Sequence, residues 1–155
     1  MPANSLAAVL EREHHDIDNG IEAFAALLAA GEVDAEPLRR AAGALRRHIY
    51  IEEALVFPPL RDAGLVAPVF VMLREHGQLW RTLDALDAEL RLASDAPTLQ
   101  KLCKELVVEL QHHNPKEEQI LYPQADQVLT ALVNAQLRRF LDSGQMPDGW
   151  VCERA

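Results

Sequence analysis

The chain contains the stretch His48-Ile49-Tyr50-Ile51-Glu52-Glu53-Ala54-Leu55-Val56-Phe57-Pro58, and the same pattern returns downstream as His113-Asn114-Pro115-Lys116-Glu117-Glu118-Gln119-Ile120-Leu121-Tyr122-Pro123. Each copy has a His, a Glu four residues later, a second Glu, an aromatic residue and a proline at matching positions. Residues four apart on a helix lie on one face, one above the other. Each copy therefore presents an imidazole and a carboxylate to a common point, which is how a helix offers two ligands to a metal ion.

The composition of the chain indicates an all-α protein. Its 155 residues suit one domain with its own core, and Leu and Ala dominate without strand-like runs of β-branched residues. The formal net charge of −9 argues against nucleic-acid binding, which needs clustered Lys and Arg. No stretch approaches the roughly 18 apolar residues of a membrane helix, and no signal peptide is visible. These features predict a cytoplasmic protein without nucleic-acid or membrane partners.

The cysteines do not have the pattern of a disulfide framework, since there are two of them and they differ in context. Cys103 belongs to an apolar helical stretch and lies roughly 15 Å along the helix from His113, too far to share a metal with it. Cys152 belongs to the tail, where we expect an exposed free thiol without a role.

Apolar residues recur at helical spacing in four long segments and one shorter segment. The long helices are expected to end where Gly31, Pro58-Pro59 and Pro123 interrupt the pattern. The predicted helices cover residues 4–30, 36–57, 67–93, 97–122 and 125–141.

Short connections between long helices favour antiparallel neighbours. The predicted fold class is therefore all-α, an up-down-up-down four-helix bundle with an additional C-terminal helix and tail. We expect residues 1–124 to form the bundle and residues 125–155 to form the C-terminal helix and tail packed on it. For this last segment we favour a cap on the bundle over a homodimer surface or a surface for another partner.

The halves of the chain repeat one helical hairpin, because Arg12-Glu13-His14 matches Arg74-Glu75-His76 as well. Polar residues occupy core positions in the apolar stripes, and each such His lies about equally far from its hairpin turn. Equal steps up and down an antiparallel pair return to one level. We therefore expect a convergent set at one end of the bundle, and its members are His14, His48, Glu52, His76, His113 and Glu117.

Buried carboxylates beside imidazoles are very unfavourable unless a cation compensates them. Imidazole and carboxylate together suit iron, manganese or zinc, and Glu52 and Glu117 would bridge two ions. The alternative is a set of solvated or mutually hydrogen-bonded polar residues near an open bundle end. His15 and His112 lie off the stripes and are interpreted as surface or supporting residues. Glu53 and Glu118 are also off the stripes, where orienting a ligand and facing solvent are equally plausible.

The chain resembles the hemerythrin family in its bacterial variant with His-His-Glu cation-binding motifs. The resemblance runs from about Leu6 to Pro123 and rests on Glu13-His14, His48-x3-Glu52-Glu53, Glu75-His76 and His113-x3-Glu117-Glu118. It implies a four-helix bundle with a non-haem di-iron site at one end. It also implies nitrogen ligation by the four histidines of the convergent set, and bridging by its two glutamates.

The sequence departs from the oxygen-carrying members of that family. Those proteins have a His-x3-His pair on the third helix, whereas the residues four before and four after His76 are Met72 and Trp80. They also use an Asp where this chain has Glu117. Asp18 or Glu22 is a candidate replacement ligand. Pro115 lies between His113 and Glu117, where it either re-aims these residues or lets the helix follow the core.

Three functions are compatible with these patterns. The leading hypothesis is a non-haem iron protein, most simply di-iron with zinc or manganese as alternatives, that binds oxygen or nitric oxide for sensing, redox protection or iron handling. The resemblance also implies a second hypothesis, repair of iron–sulfur clusters or activation of oxygen or peroxide. The third is an interaction module in which the metal is structural. Binding is preferred to catalysis because no substrate pocket or nucleophile can be identified.

Overall fold

A computed structural model describes residues 5–155 of the chain, and every regular element in that range is helical. The all-α class predicted from composition is therefore confirmed. In chain order the elements are α1 (Leu6–Ala29), α2 (Glu36–Ile51), a first π-helical turn (Glu52–Val56), α3 (Phe57–Asp62), α4 (Val66–Arg91), α5 (Ala96–Lys116), a second π-helical turn (Glu117–Leu121), α6 (Tyr122–Val128) and α7 (Ala131–Ser143).

Local side-chain caps set several helix starts. The Ser5 hydroxyl accepts a hydrogen bond from the backbone N–H of Ala8, and α5 begins with the same contact from Thr98 to Asp95. Such bonds satisfy amide donors that have no partner inside the helix. Gly31 follows α1 with a φ of 85°, a conformation that glycine adopts at low cost. The predicted start of the first helix at Asn4 lies outside the described residues.

The predicted ends at Phe57 and Tyr122 are wrong, because the chain stays helical through both proline sites. Each long helix widens into a π-helical turn of five residues and then resumes as α3 or α6, with proline in the first turn. A proline at that position needs no amide donor. The π turn thus lets the helix continue past residues that normally stop it.

The predicted fifth helix is also wrong in its limits. Residues 122–128 belong to α6, the chain is extended at Leu129, and α7 then runs over Ala131–Ser143. The Thr130 hydroxyl accepts from the backbone N–H of Val133 and begins this last helix. Hydrophobic periodicity does not show the break because apolar residues occur on both sides of it.

The helices pack chiefly as the pairs α1 with α2 and α4 with α5, and α1 also contacts α5 and α6. Buried apolar residues form two clusters. One cluster includes Ile21, Phe24 and Leu83, and the other includes Leu10, Phe57 and Met72. The convergent polar residues fall near the junction of these clusters along every long helix, so they are enclosed on both sides by apolar packing.

The tail, residues 144–155, folds back onto the helices. Cys152 is 2% exposed, so the expectation of an exposed thiol is wrong. Burial raises the pKa of this thiol to about 11, which keeps it protonated. None of the helices in the described residues has an apolar stretch sufficient to cross a membrane.

Candidate metal centre

The structure brings the predicted site residues together in the interior. Each of the six side chains is at most 3% exposed, although imidazole and carboxylate groups are normally found at surfaces. We call this set the centre. Its members are His14 on α1, His48 on α2, His76 on α4, His113 on α5, and Glu52 and Glu117 at the first residues of the two π turns.

The centre consists of two groups that share both glutamates. In the first group, His14 and His48 meet Glu52 and Glu117, and in the second group His76 and His113 meet the same carboxylates. Within each group one ligand atom from every residue lies within 4.8 Å of the others. Two groups of donors with common carboxylates can hold two cations side by side.

Both carboxylates reach both groups, Glu52 through a different oxygen for each and Glu117 through Oε1 for both. Glu52 Oε2 lies 3.5 Å from His48 Nε2, and Glu52 Oε1 lies 3.2 Å from His76 Nε2. Glu117 Oε1 lies 3.2 Å from His14 Nε2 and 3.1 Å from His113 Nε2. The imidazoles therefore all direct Nε2 toward the shared carboxylates.

The opposite ring nitrogen of every histidine in the centre also meets a carboxylate. These Nδ1 contacts are 2.7–2.9 Å long, and neutral imidazoles would donate through Nδ1–H and keep Nε2 as a free lone pair. Two contacts stay within one hairpin and two cross between hairpins, as the internal repeat requires. The pairs are His48–Glu13, His113–Glu75, His14–Glu118 and His76–Glu53.

These four carboxylates form an outer ring around the centre, and their contacts distinguish between the ligand-orienting and solvent-facing interpretations of Glu53 and Glu118. Glu53 and Glu118 orient imidazoles, and the side chain of Glu53 is only 7% exposed. Glu13 and Glu75 have the same place although their spacing alone gave them no role. His112 is largely exposed and contacts Lys116, and His15 lines a cavity outside the centre.

Protonation balances the carboxylates when no cation is bound. Burial opposes charge on His48, but Glu52 and Glu13 outweigh it and raise its pKa to about 10. Burial also opposes charge on His76 and His113, yet neighbouring carboxylates raise the pKa of both imidazoles. Burial disfavours a charged Glu117, whereas the surrounding imidazoles hold its pKa well below the usual range. The buried carboxylates of the centre therefore need positive charge beside them, which protonated imidazoles supply when no cation is bound.

Hydrogen bonding leaves part of this centre unsatisfied. Among the described residues, three buried side-chain atoms have no hydrogen-bond partner, namely Glu52 Oε1, His76 Nε2 and Glu117 Oε2. His76 Nε2 lies 3.2 Å from Glu52 Oε1 and 3.4 Å from Glu117 Oε2, but neither contact has hydrogen-bond geometry. Buried polar atoms in folded proteins are nearly always paired. A cation between these atoms satisfies all three, so the donor set fits a metal.

The pattern of histidines and glutamates did not reveal Tyr122, whose hydroxyl enters the first group. This oxygen lies 3.0 Å from Nε2 of both His14 and His48, and it donates to Glu52 Oε2 at 2.7 Å. Burial and the two carboxylates raise its pKa well above the ordinary value, so the hydroxyl keeps its proton. The signal was present in the repeat, where Tyr122 occupies the position of Phe57.

The corresponding Phe57 lies beside the second group and has no donor. Its ring stacks on His76 with centroids 5.5 Å apart. The two groups therefore differ by one phenolic oxygen. The proposed replacement ligands Asp18 and Glu22 lie outside both groups, and Met72 and Trp80 are buried in apolar clusters. Pro115 stays inside α5, two residues before the second π turn begins at Glu117.

Two faces of the molecule flank the centre at positions related by the repeat. The covered face lies between α2 and α4 beneath the tail. There Trp150 contacts the rings of Tyr50 and Trp80 at 5.1 and 5.5 Å, and the backbone N–H of Glu153 donates to Glu53 Oε1 at 3.0 Å. Gly77 allows this approach, because a Cβ there would collide with the carbonyl of Arg154.

The open face lies between α1 and α5. It has His15, Asp18 and Pro115 where the covered face has Gly77, Trp80 and Tyr50. Residues 144–155 do not line it, and a cavity of about 250 Å³ reaches down to His14 and Glu118. The repeat thus places similar histidines under two different surfaces.

Fold and site together define a helical protein with a buried histidine–carboxylate centre suited to cations. The family model of the hemerythrin HHE cation-binding domain matches residues 5–125. The chain therefore belongs to the hemerythrin HHE cation-binding family, as its motifs predicted. Comparisons with curated proteins and with solved structures give no match.

Proposed function

We propose that the protein binds two iron ions at the centre and takes up a diatomic ligand, oxygen or nitric oxide, in sensing, redox protection or iron handling. The observation that carries this proposal is the pair of donor groups sharing Glu52 and Glu117. Imidazole and carboxylate ligands suit iron, and they also accept manganese or zinc. Membership of a cation-binding family supports a metal, while the choice of iron belongs to the proposal.

The ligands we propose are the six residues of the centre. His14 and His48 would hold one ion, His76 and His113 the other, and Glu52 and Glu117 both. Bound iron supplies a redox-active Lewis acid for a small ligand. The protein fixes each imidazole through its Nδ1 contact and surrounds the centre with apolar packing that limits water.

This chain lacks the fifth histidine of the oxygen carriers, and the two donor groups differ in what lies beside them. Tyr122 presents a phenol to the His14–His48 group, and Phe57 presents no donor to the His76–His113 group. The second group therefore keeps more coordination positions for a ligand from outside. Up-down-up-down connectivity, the division near residue 124, a cytoplasmic location and a homodimer remain proposals alongside this one.

The test is metal analysis of protein loaded anaerobically with ferrous iron and then desalted. We expect two ions per chain, one for each donor group, and a new absorption band on adding nitric oxide. The double variant Glu52→Gln/Glu117→Gln should lose both properties. Glu32→Gln/Glu105→Gln is the matched control, because it makes the same charge change at exposed positions. Wild-type protein that retains no iron, or binds no nitric oxide when loaded, would overturn the proposal.

A second candidate is an activity on oxygen or peroxide, and Tyr122 is the observation that favours it. Its protonated hydroxyl donates to Glu52 and lies beside two imidazoles, so a proton is held at the centre. We expect iron-loaded protein to consume peroxide and Tyr122→Phe to do so more slowly with equal iron content. Equal rates for the two proteins would remove this candidate's support.

A further inference from the structure

The cavity of the open face is separate from the centre but shares a wall with it. His14 and Glu118 line it, and the same His14 directs Nε2 to Glu117 at the centre. A ligand in this cavity is therefore one imidazole away from the first donor group. The lining residues are His14, His15, Asp18, Ile21, Glu22, Val107, Leu110, Gln111, Asn114, Pro115 and Glu118.

The charge of this lining is negative. Asp18, Glu22 and Glu118 contribute carboxylates, and the lining includes neither Lys nor Arg. Burial raises the pKa of Asp18, and the charges of Glu22 and Glu118 add to this effect although the imidazoles oppose it. The carboxylates are therefore close enough to repel one another. A cation relieves that repulsion.

A neutral residue in the lining points to a ligand independently of the charges. Asn114 lines the cavity and is only 8% exposed, and no described residue hydrogen-bonds to its side-chain amide, so this amide is available to a molecule in the cavity. An amide oxygen is among the ligands that hard divalent cations take, either directly or through water.

The internal repeat does not determine the open-face cavity, because the equivalent positions on the covered face carry different residues. Trp80 and Tyr50 stand where the open face has Asp18 and Pro115, and Trp150 of the tail packs on both of them. Glu53 accepts a backbone N–H of the tail and lines a cavity of about 220 Å³ that includes tail residues and Arg61, whereas no tail residue lines the cavity beside Glu118. The covered side is lined by aromatic rings and the tail, whereas the cavity of the open side has three carboxylates and neither Lys nor Arg.

We propose that the open-face cavity is a loading port that binds a hydrated divalent cation, ferrous iron, before it moves to the centre. The inference rests on the proposed iron-binding function. The port holds its cation through water, because in the described residues the groups with three or more converging donors include neither Asp18 nor Glu22. Its carboxylates raise the local cation concentration, and His14 is the first ligand that an incoming ion meets.

The experiment measures how fast metal-free protein takes up cobalt(II), whose visible absorption reports ligation without redox chemistry. The variant Asp18→Asn/Glu22→Gln removes two port charges, and Asp16→Asn/Glu105→Gln removes two exposed charges outside the cavity. We expect the port variant to load about tenfold more slowly at low salt than the control variant, within the range of electrostatic steering. Final stoichiometry and spectrum should equal those of wild type.

The outcomes separate this inference from the function on which it rests. Wild-type protein that takes up neither cobalt nor iron would overturn both. Normal uptake by wild type with equal rates in the two double variants would overturn the port alone. A lower final occupancy in the port variant would also overturn it, because Asp18 or Glu22 would then be a ligand of the centre. Asn114→Leu leaves the charge unchanged, and we expect it to slow uptake at high salt, where steering is screened.

Discussion

The open face and the covered face flank the same centre and come from the same repeat, yet they treat equivalent glutamates differently. Glu53 accepts the backbone N–H of Glu153 under the tail, and Glu118 borders an acidic cavity. Both carboxylates hold an imidazole through its Nδ1. The repeated hairpin therefore determines the donor set, whereas residues outside the motif determine how solvent and ligands reach it.

The same contrast continues inside the centre. The His14–His48 group, next to the open face, contains the hydroxyl of Tyr122, and the His76–His113 group contains the ring of Phe57 instead. The Tyr122 hydroxyl donates to Glu52 Oε2 on one side, whereas the unpartnered atoms include Glu52 Oε1 and His76 Nε2 on the other. We therefore expect the two groups to respond unequally to the same change.

The largest expected effect comes from pH, because imidazoles of both groups lose their charge together. The pKa of His48 rises from 6.5 to about 10 on folding, so its contribution to stability is complete below pH 6.5 and is lost as pH rises toward 10. The raised pKa values of His76 and His113 act in the same direction. Urea denaturation of metal-free protein should show falling stability across this interval.

Metal-loaded protein provides the control for this pH series. Bound cations replace the protons and need neutral imidazoles, so their affinity should rise over the same interval. A metal-free protein whose stability is constant or increases from pH 6.5 to 10 would contradict the assignment of charged imidazoles to both groups.

Removing one histidine from each group compares the groups directly. His76→Ala leaves Glu52 and Glu117 without the imidazole that faces both of them, and we expect a loss of about 3–5 kcal/mol from the free energy of unfolding of metal-free protein. His14→Ala leaves the hydroxyl of Tyr122 beside both carboxylates, so its loss should be smaller, about 1–3 kcal/mol.

His112→Ala is the control for these variants, since this side chain is 70% exposed. Its effect on denaturation should stay within about 0.5 kcal/mol. Equal losses for His14→Ala and His76→Ala would mean that Tyr122 does not compensate in the first group, and the difference between the groups would lose its energetic basis.

Replacing the equivalent glutamates tests the outer ring on the two faces. Glu53→Gln and Glu118→Gln should each weaken cobalt affinity about 10- to 100-fold, because each removes the carboxylate that orients an imidazole. Titration of metal-free protein measures this change. Only Glu53→Gln should also disturb the fluorescence of Trp150, since Glu53 alone of the pair holds the tail. A matching change in Glu118→Gln would contradict the distinction between the faces.

The sequence was sufficient to predict the centre because its residues obey simple helical spacing. His48 and Glu52, like His113 and Glu117, lie four apart and fall on the apolar stripe, and the structure buries them together. Tyr122 comes five residues after Glu117, which puts it on another side of a regular α-helix. The π turn between them adds a residue to the turn and brings the hydroxyl within 3.3 Å of Glu117 Oε1. Prolines after both turns suggested helix ends and concealed this effect.

The tail was unpredictable for a different reason. Its contacts pair Trp150 with Tyr50 and Trp80, residues about 100 and 70 positions away, and no periodicity connects them. Gly77 carried the only local signal, a glycine inside a helix. Such a glycine indicates a close approach without saying which segment approaches.

The fit of the tail can be broken at that glycine. Gly77→Ala places a Cβ against the carbonyl of Arg154, and we expect it to lift the tail and lower the free energy of unfolding by about 1–3 kcal/mol. Cys152 should then react with a thiol reagent in the folded protein. Gly43→Ala is the matched control, since a Cβ there meets nothing within 4 Å. Equal thiol labelling of the two variants would show that the tail does not depend on this contact.

The smallest expected effect concerns the single oxygen that distinguishes the two groups. Tyr122→Phe makes the first group resemble the second, and it removes the donor of the 2.7 Å hydrogen bond to Glu52 Oε2. We expect metal-free protein to lose about 0.5–1.5 kcal/mol in urea denaturation, the usual net value of one hydrogen bond. Tyr50→Phe removes a hydroxyl on the covered face, outside the centre, and should be nearly neutral. If the two variants were equally stable, the phenol would contribute nothing to the stability of the metal-free protein, and the two groups would not differ in energy through this oxygen.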